Sequence, residues 1–101
     1  MAFRPNFTGA QIVGDTVRVT GVSDEDDTQD ILDIRVTLVQ GDRIASEPVP
    51  EATSVWNAAF PVKDPEGKSG DFGPGPAAAF GVETHKANLT TISWVEALTI
   101  R

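Results

Sequence analysis

The chain has 101 residues, a formal net charge of −7 and no cysteine. Its length suits one domain with a single hydrophobic core, and the missing cysteines exclude disulfides and thiolate chemistry. The acidic charge disfavours nucleic acids and anionic membrane surfaces, because both are themselves negative. We therefore expect a protein that binds neither nucleic acid nor membranes, whereas cations and basic proteins remain open as partners.

The sequence also lacks membrane and export signals. No run of about 18 apolar residues occurs, so no transmembrane helix is predicted. The first residues, Met1 to Pro5, lack the apolar segment of a secretory signal. The protein is therefore either intracellular or a chain that starts after a removed signal. We expect residues 1–9 to form a loose arm and residues 10–101 to form a single domain.

The most regular pattern lies in residues 31–40. Ile34, Val36 and Leu38 occupy every second position, and charged or hydroxyl side chains separate them. This is the period of a strand that buries one face. Because the apolar face is uninterrupted, we expect a central strand of the sheet; an edge strand is the alternative.

Six further segments show strand patterns bounded by turn signals. In one of them Trp56 and Phe60 share a face, and Trp56 is expected to be the largest side chain of the core. Pro48 ends another, since proline cannot donate to a sheet ladder. The predicted strands are residues 10–13, 16–22, 31–40, 43–47, 54–62, 77–85 and 91–100.

Two segments break this regularity. Residues 64–76, rich in glycine and proline, are expected to form the longest loop. In the last strand Trp94 and Ile100 share a face that Glu96 interrupts. A charge at that position predicts a bulge, or a strand that leaves the core.

Seven short strands without a convincing helix predict an all-β fold, a sandwich or a barrel. The order of features resembles that of bacterial immunoglobulin-like modules. The matching features are Val17-Arg18-Val19-Thr20-Gly21, the acidic stretch Asp24 to Asp30, the long strand Ile31 to Val39, the turn Gly41-Asp42, Trp56-Asn57-Ala58-Ala59-Phe60, and the small-residue strand Ala77 to Thr84.

The resemblance implies an immunoglobulin-like β-sandwich of about seven antiparallel strands in two sheets. It further implies a non-enzymatic module that binds a partner or spaces other domains through its loops and edges. The alternatives are a calcium- or carbohydrate-binding module, a small enzyme, and a structural subunit of a phage or surface assembly.

The acidic stretch is the strongest candidate for a ligand site. Calcium takes about six to eight oxygen ligands, which clustered carboxylates on a loop can supply. Asp33, at the start of the following strand, is a further carboxylate within reach. The alternative is a solvated loop that keeps this end of the sheet soluble. The candidate ligands are Asp24, Asp26, Asp27 and Asp30.

Two single residues complete the candidates. Phe72 in the long loop is either an exposed aromatic that binds a sugar or a protein surface, or a plug under its own loop. His85 is the only histidine, so it cannot form a multi-histidine metal site. No Gly-x-Ser-x-Gly motif supplies a nucleophile for it. We therefore expect His85 at an exposed strand end, and we expect no resident cofactor other than calcium.

Overall fold

The computed structural model describes residues 6–22, 31–49, 55–65, 67, 70–85, 89 and 91–101. This part of the chain is all-β, as predicted, and no helix in it is long and apolar enough to cross a membrane. Its strands are β1 (Asn6–Val13), β2 (Thr16–Val22), β3 (Ile31–Gln40), β4 (Arg43–Pro48), β5 (Val55–Pro61), β6 (Gly75–His85) and β7 (Thr91–Ile100).

The predicted strands are all present, with small shifts at their ends. The largest shift concerns the N-terminal arm, which was expected to include residues 6–9. These residues belong to β1, because Asn6 and Phe7 pair with Val22 and Gly21 of β2. The arm prediction is therefore wrong for residues 6–9, and its first five residues lie outside the described ranges.

The strands form one seven-stranded sheet in the order β4-β3-β6-β7-β1-β2-β5. The sheet is nearly barrel-shaped, since β4 and β5 at its two ends come into contact. Neighbouring strands are antiparallel except β1 and β7, which run parallel and share the single register pair Ala10↔Ile100. The prediction of antiparallel strands therefore fails at this one pair, because the first and last strands meet side by side and run in the same direction.

β3 lies inside the sheet, between β4 and β6, so the central-strand prediction is confirmed and the edge alternative is wrong. Ile34, Val36 and Leu38 have no exposed surface, as the alternation of an internal strand requires. The pairing of β4 with β3 continues one residue past the end of β4, because the Val49 N–H donates to the Ile34 carbonyl at 2.8 Å.

The inward face of the sheet carries the core. Trp56 is only 2% exposed, and it is the largest of the fully buried side chains, as predicted. Its ring meets two others: the centroid of Phe7 lies 5.7 Å away and that of Trp94 lies 6.3 Å away. Phe7 and Trp94 are themselves 5.5 Å apart. Edge-to-face and tilted pairs at these distances contribute about 0.5–1.5 kcal/mol each beyond the area that they bury.

Glu96 does not break β7. The register between β6 and β7 runs without a shift from Gly75↔Ile100 to Thr84↔Thr91, and Ile100 is buried. Both the predicted bulge and the predicted departure from the core are therefore wrong. Glu96 keeps its inward position because its Oε2 accepts a hydrogen bond from the Phe7 N–H at 2.6 Å. The carboxylate thus takes the place of a neighbouring strand's carbonyl.

Gly81 makes room for Trp94. The two residues are paired across β6 and β7, and the indole lies directly over the glycine. A Cβ on residue 81 would fall 2.3 Å from Trp94 Cζ2. Since no real Cβ contact is that short, any side chain here has to displace the indole from the aromatic cluster.

We predict that Gly81→Ala lowers the free energy of unfolding by about 1–3 kcal/mol, the usual effect of overpacking. Urea unfolding followed by tryptophan fluorescence measures this change. Gly9→Ala is the matched control in β1, because its Cβ would meet only Thr20 Oγ1, at 4.0 Å. Equal stability of the two variants would show that the indole does not occupy the space over Gly81.

Candidate functional site

The predicted calcium ligands Asp24, Asp26, Asp27 and Asp30 lie outside the described residues, so the calcium site stays a prediction. Asp33 is exposed on β3. The backbone of His85 ends β6 opposite Ile31, and so lies at a strand end as expected. Within the described ranges, no three histidine, cysteine or acidic side chains group together to hold a metal ion.

Phe72 is a core residue, only 2% exposed. Its ring lies 6.3 Å from that of Phe60, in an edge-to-face arrangement. Its N–H donates to the Val62 carbonyl at 2.9 Å, which folds the loop back toward the end of β5. Of the two interpretations, the plug under its own loop is confirmed. The alternative interpretation, an exposed aromatic that binds a sugar or a protein surface, is wrong because the side chain is buried.

A buried guanidinium that no sequence pattern predicted holds this loop. Arg43, at the start of β4, is 5% exposed, and its Cζ lies 4.6 Å from the centroid of the Phe72 ring. Its Nη2 donates to the carbonyls of Pro61 at 3.1 Å and Lys63 at 3.2 Å. Its Nη1 lies 3.9 Å from Asp64 Oδ1. Ile44 is the apolar neighbour of Arg43 in this strand, yet Ile44 is exposed and Arg43 is buried. The local pattern therefore predicts neither the burial of Arg43 nor its long-range partners.

Several large apolar side chains point outward from the four strands β4, β3, β6 and β7. Phe80 and Val95 lie directly opposite each other and are 45% and 59% exposed. The apolar surface continues to the edge strand β4 through Val39, which pairs with Ala78 of β6 on one side and with Ile44 of β4 on the other. We call this surface the outer apolar face; it consists of Val39, Ile44, Ala78, Phe80, Val82 and Val95.

A groove of about 840 Å³ opens between β1 and β7; we call it the seam groove. It opens because the two strands are joined at one end only. There the Ile12 N–H donates to the Arg101 carbonyl at 2.8 Å, and the Arg101 N–H donates to the Ala10 carbonyl at 3.1 Å. Toward the start of both strands, the Glu96 carboxylate on the Phe7 N–H is the bridge between them.

Two arginines border the seam groove. Arg18 of β2 pairs with Gln11 of β1, and the hydrogen bonds around Arg101 place it on the other side of Gln11. With about 4.8 Å between neighbouring strands, their Cα atoms are about 10 Å apart. Both side chains are exposed, and neither makes an ion pair within the described part of the chain. Gly9 also lines the groove and has no side chain to fill it.

Arg43 offers a direct test of how the long loop is held. We predict that Arg43→Gln lowers the free energy of unfolding by about 2 kcal/mol, because hydrogen bonds from a charged donor to two part-buried carbonyls are lost. Hydrogen exchange of the Phe72 amide should accelerate with it. Arg35→Gln, an exposed position on β3, is the control. If exchange at Phe72 is unchanged by Arg43→Gln, the guanidinium does not hold the loop.

Comparison with known proteins finds no family model, no curated protein and no solved structure that matches this chain.

Proposed function

We propose that the chain is a non-catalytic, immunoglobulin-like module that binds a protein partner through its outer apolar face. The observation that carries this proposal is the exposed pair Phe80 and Val95, opposite each other in the middle of a sheet face.

The pairing pattern supports the immunoglobulin-like part of the proposal. The single Ala10↔Ile100 bridge joins two groups of strands, β1-β2-β5 and β4-β3-β6-β7. In constant-type immunoglobulin domains the first, second and fifth strands share one sheet, and the third, sixth and seventh share the other. Both sets are present here. β4 pairs with β3 instead of β5, in the manner of the additional strand that variable-type domains place beside their third strand.

The chemistry of the outer apolar face supports partner binding. Contiguous apolar patches on a protein surface mark interaction sites more often than scattered apolar residues do. Aromatic residues are enriched at the centres of interfaces, and charged residues at their rims. Phe80 lies centrally, between Thr37 and Val95, whereas Asp33 and Arg35 are exposed toward one end of the same face.

Net charge favours one kind of partner. At −7, the chain repels a second copy of itself and attracts a basic surface. The partner that fits best is therefore a different protein with an apolar contact patch surrounded by basic residues. The alternative function, a structural subunit, requires self-association instead. The crosslinking experiment below distinguishes a different partner protein from a second copy of the chain.

We expect a photo-crosslinking residue at position 95, placed in the full chain in its native cells, to give a discrete product with one other protein. Position 13 is the matched control, because Val13 is also an exposed strand valine, on β1. Phe80→Glu should reduce the yield from position 95 about tenfold or more, since loss of an interface aromatic costs at least about 1.4 kcal/mol.

Three outcomes contradict the proposal. One is the absence of any discrete product from position 95. Another is the same product from position 13, because contact is then not specific to this face. A product twice the mass of the 10.7 kDa chain would identify a second copy and replace the proposal with self-association.

A further inference from the structure

We propose that the seam groove binds an extended peptide segment with acidic residues at alternate positions. The site is separate from the proposed function, because it uses the strand edges and cations of β1, β2 and β7 and not the outer apolar face.

The edge of β7 that faces β1 is open along part of its length. This strand pairs with β6 along its whole length, so every second residue directs its backbone N–H and C=O away from β6, toward β1. Arg101 is one of these residues, and β1 satisfies it. By the same alternation Thr99, Ala97 and Val95 also face β1. The parallel pair Ala10↔Ile100 engages the Thr99 carbonyl, but no β1–β7 register pair among the described residues engages Ala97 or Val95.

The edge of β1 is open in the same region. Phe7 has no backbone partner on β7, and a side chain, Glu96, satisfies its N–H. A register shift between Phe7 and Gly9 moves this end of β1 relative to β2. Unpaired edges of this kind are templates for an added strand, which gains main-chain hydrogen bonds from the edge that it joins.

The seam groove also carries positive charge on its outer side. Arg18 and Arg101 flank Gln11 on its outer side, and no carboxylate of the described chain neutralises either guanidinium. The acid of the groove, Glu96, is half-buried on the inward face and is held by the Phe7 N–H. In a chain of net charge −7, two neighbouring arginines that make no ion pair with the described residues form a local basic site.

Together these features define the ligand. Guanidinium groups bind carboxylates through paired, charge-assisted hydrogen bonds. A peptide strand added along β7 directs every second side chain to the outer side, where Arg18 and Arg101 lie. The peptide residues that alternate with these outward-facing ones face inward, toward Leu98. The preferred ligand is therefore an extended segment in which acidic side chains alternate with apolar ones.

The test is a selection of a random ten-residue peptide library on the full chain. We expect enrichment of peptides with aspartate or glutamate at alternate positions. These peptides should bind Arg35→Gln as well as they bind the unmodified protein, and should bind the Arg18→Gln/Arg101→Gln double variant at least tenfold more weakly. Amide shifts in a ¹⁵N–¹H spectrum should concentrate in residues 6–12 and 94–101. The same spectrum verifies that each variant is folded.

Backbone methylation tests the edge independently of charge. In an added strand, every second residue donates its N–H to β7. N-methylation of those residues in an enriched peptide should weaken binding at least tenfold. N-methylation of the intervening residues should leave binding unchanged. Failure to enrich any peptide overturns the proposal. Equal binding to the double variant, shifts centred on β4 and β3, or binding that is unchanged by methylation of either set of residues would overturn it as well.

Discussion

The contact between Phe7, Trp56 and Trp94 is the interaction on which the architecture depends. These rings come from β1, β5 and β7, and therefore from both groups of strands. Along the seam between β1 and β7 the described strands share the single register pair Ala10↔Ile100, and two further backbone hydrogen bonds join Arg101 to β1. The two groups are consequently held together mainly by their side chains. Gly81 and Glu96 both serve this cluster, the first by leaving space for Trp94 and the second by fixing Phe7.

The difference between fully paired and partly paired strands explains where the outer apolar face and the seam groove lie. Strands that pair fully along β3, β6 and β7 make a regular sheet, whose outer side displays Phe80 and Val95. Strands that pair at one end only leave a groove with free edges. From the sequence, loops and sheet edges were the predicted sites of function. In the described part of the chain, a sheet face and an incompletely paired seam are the better candidates, and the Phe72 loop instead closes the core.

Local patterns predicted the strands and much of the core, because alternation is a property of neighbouring residues. The inward faces of β3 and β5, including Val36 and Trp56, follow directly from it. The positions of Arg43 and Phe72 could not be derived in this way, since they depend on contacts between residues about 20 to 30 positions apart in the sequence. Likewise, Glu96 was expected to distort β7 because a charge on an apolar face is costly. Only the missing partner strand beside Phe7 makes its position favourable.

The central claim is that inward-facing aromatic side chains join the two groups of strands. It is tested most directly by nuclear Overhauser effects between ring protons in the intact protein in solution. The structure predicts cross-peaks between the indole protons of Trp56 and Trp94, and between each of them and the ring of Phe7. Indole rings that show no contact with each other, together with a solvent-exposed Trp56, would contradict the account.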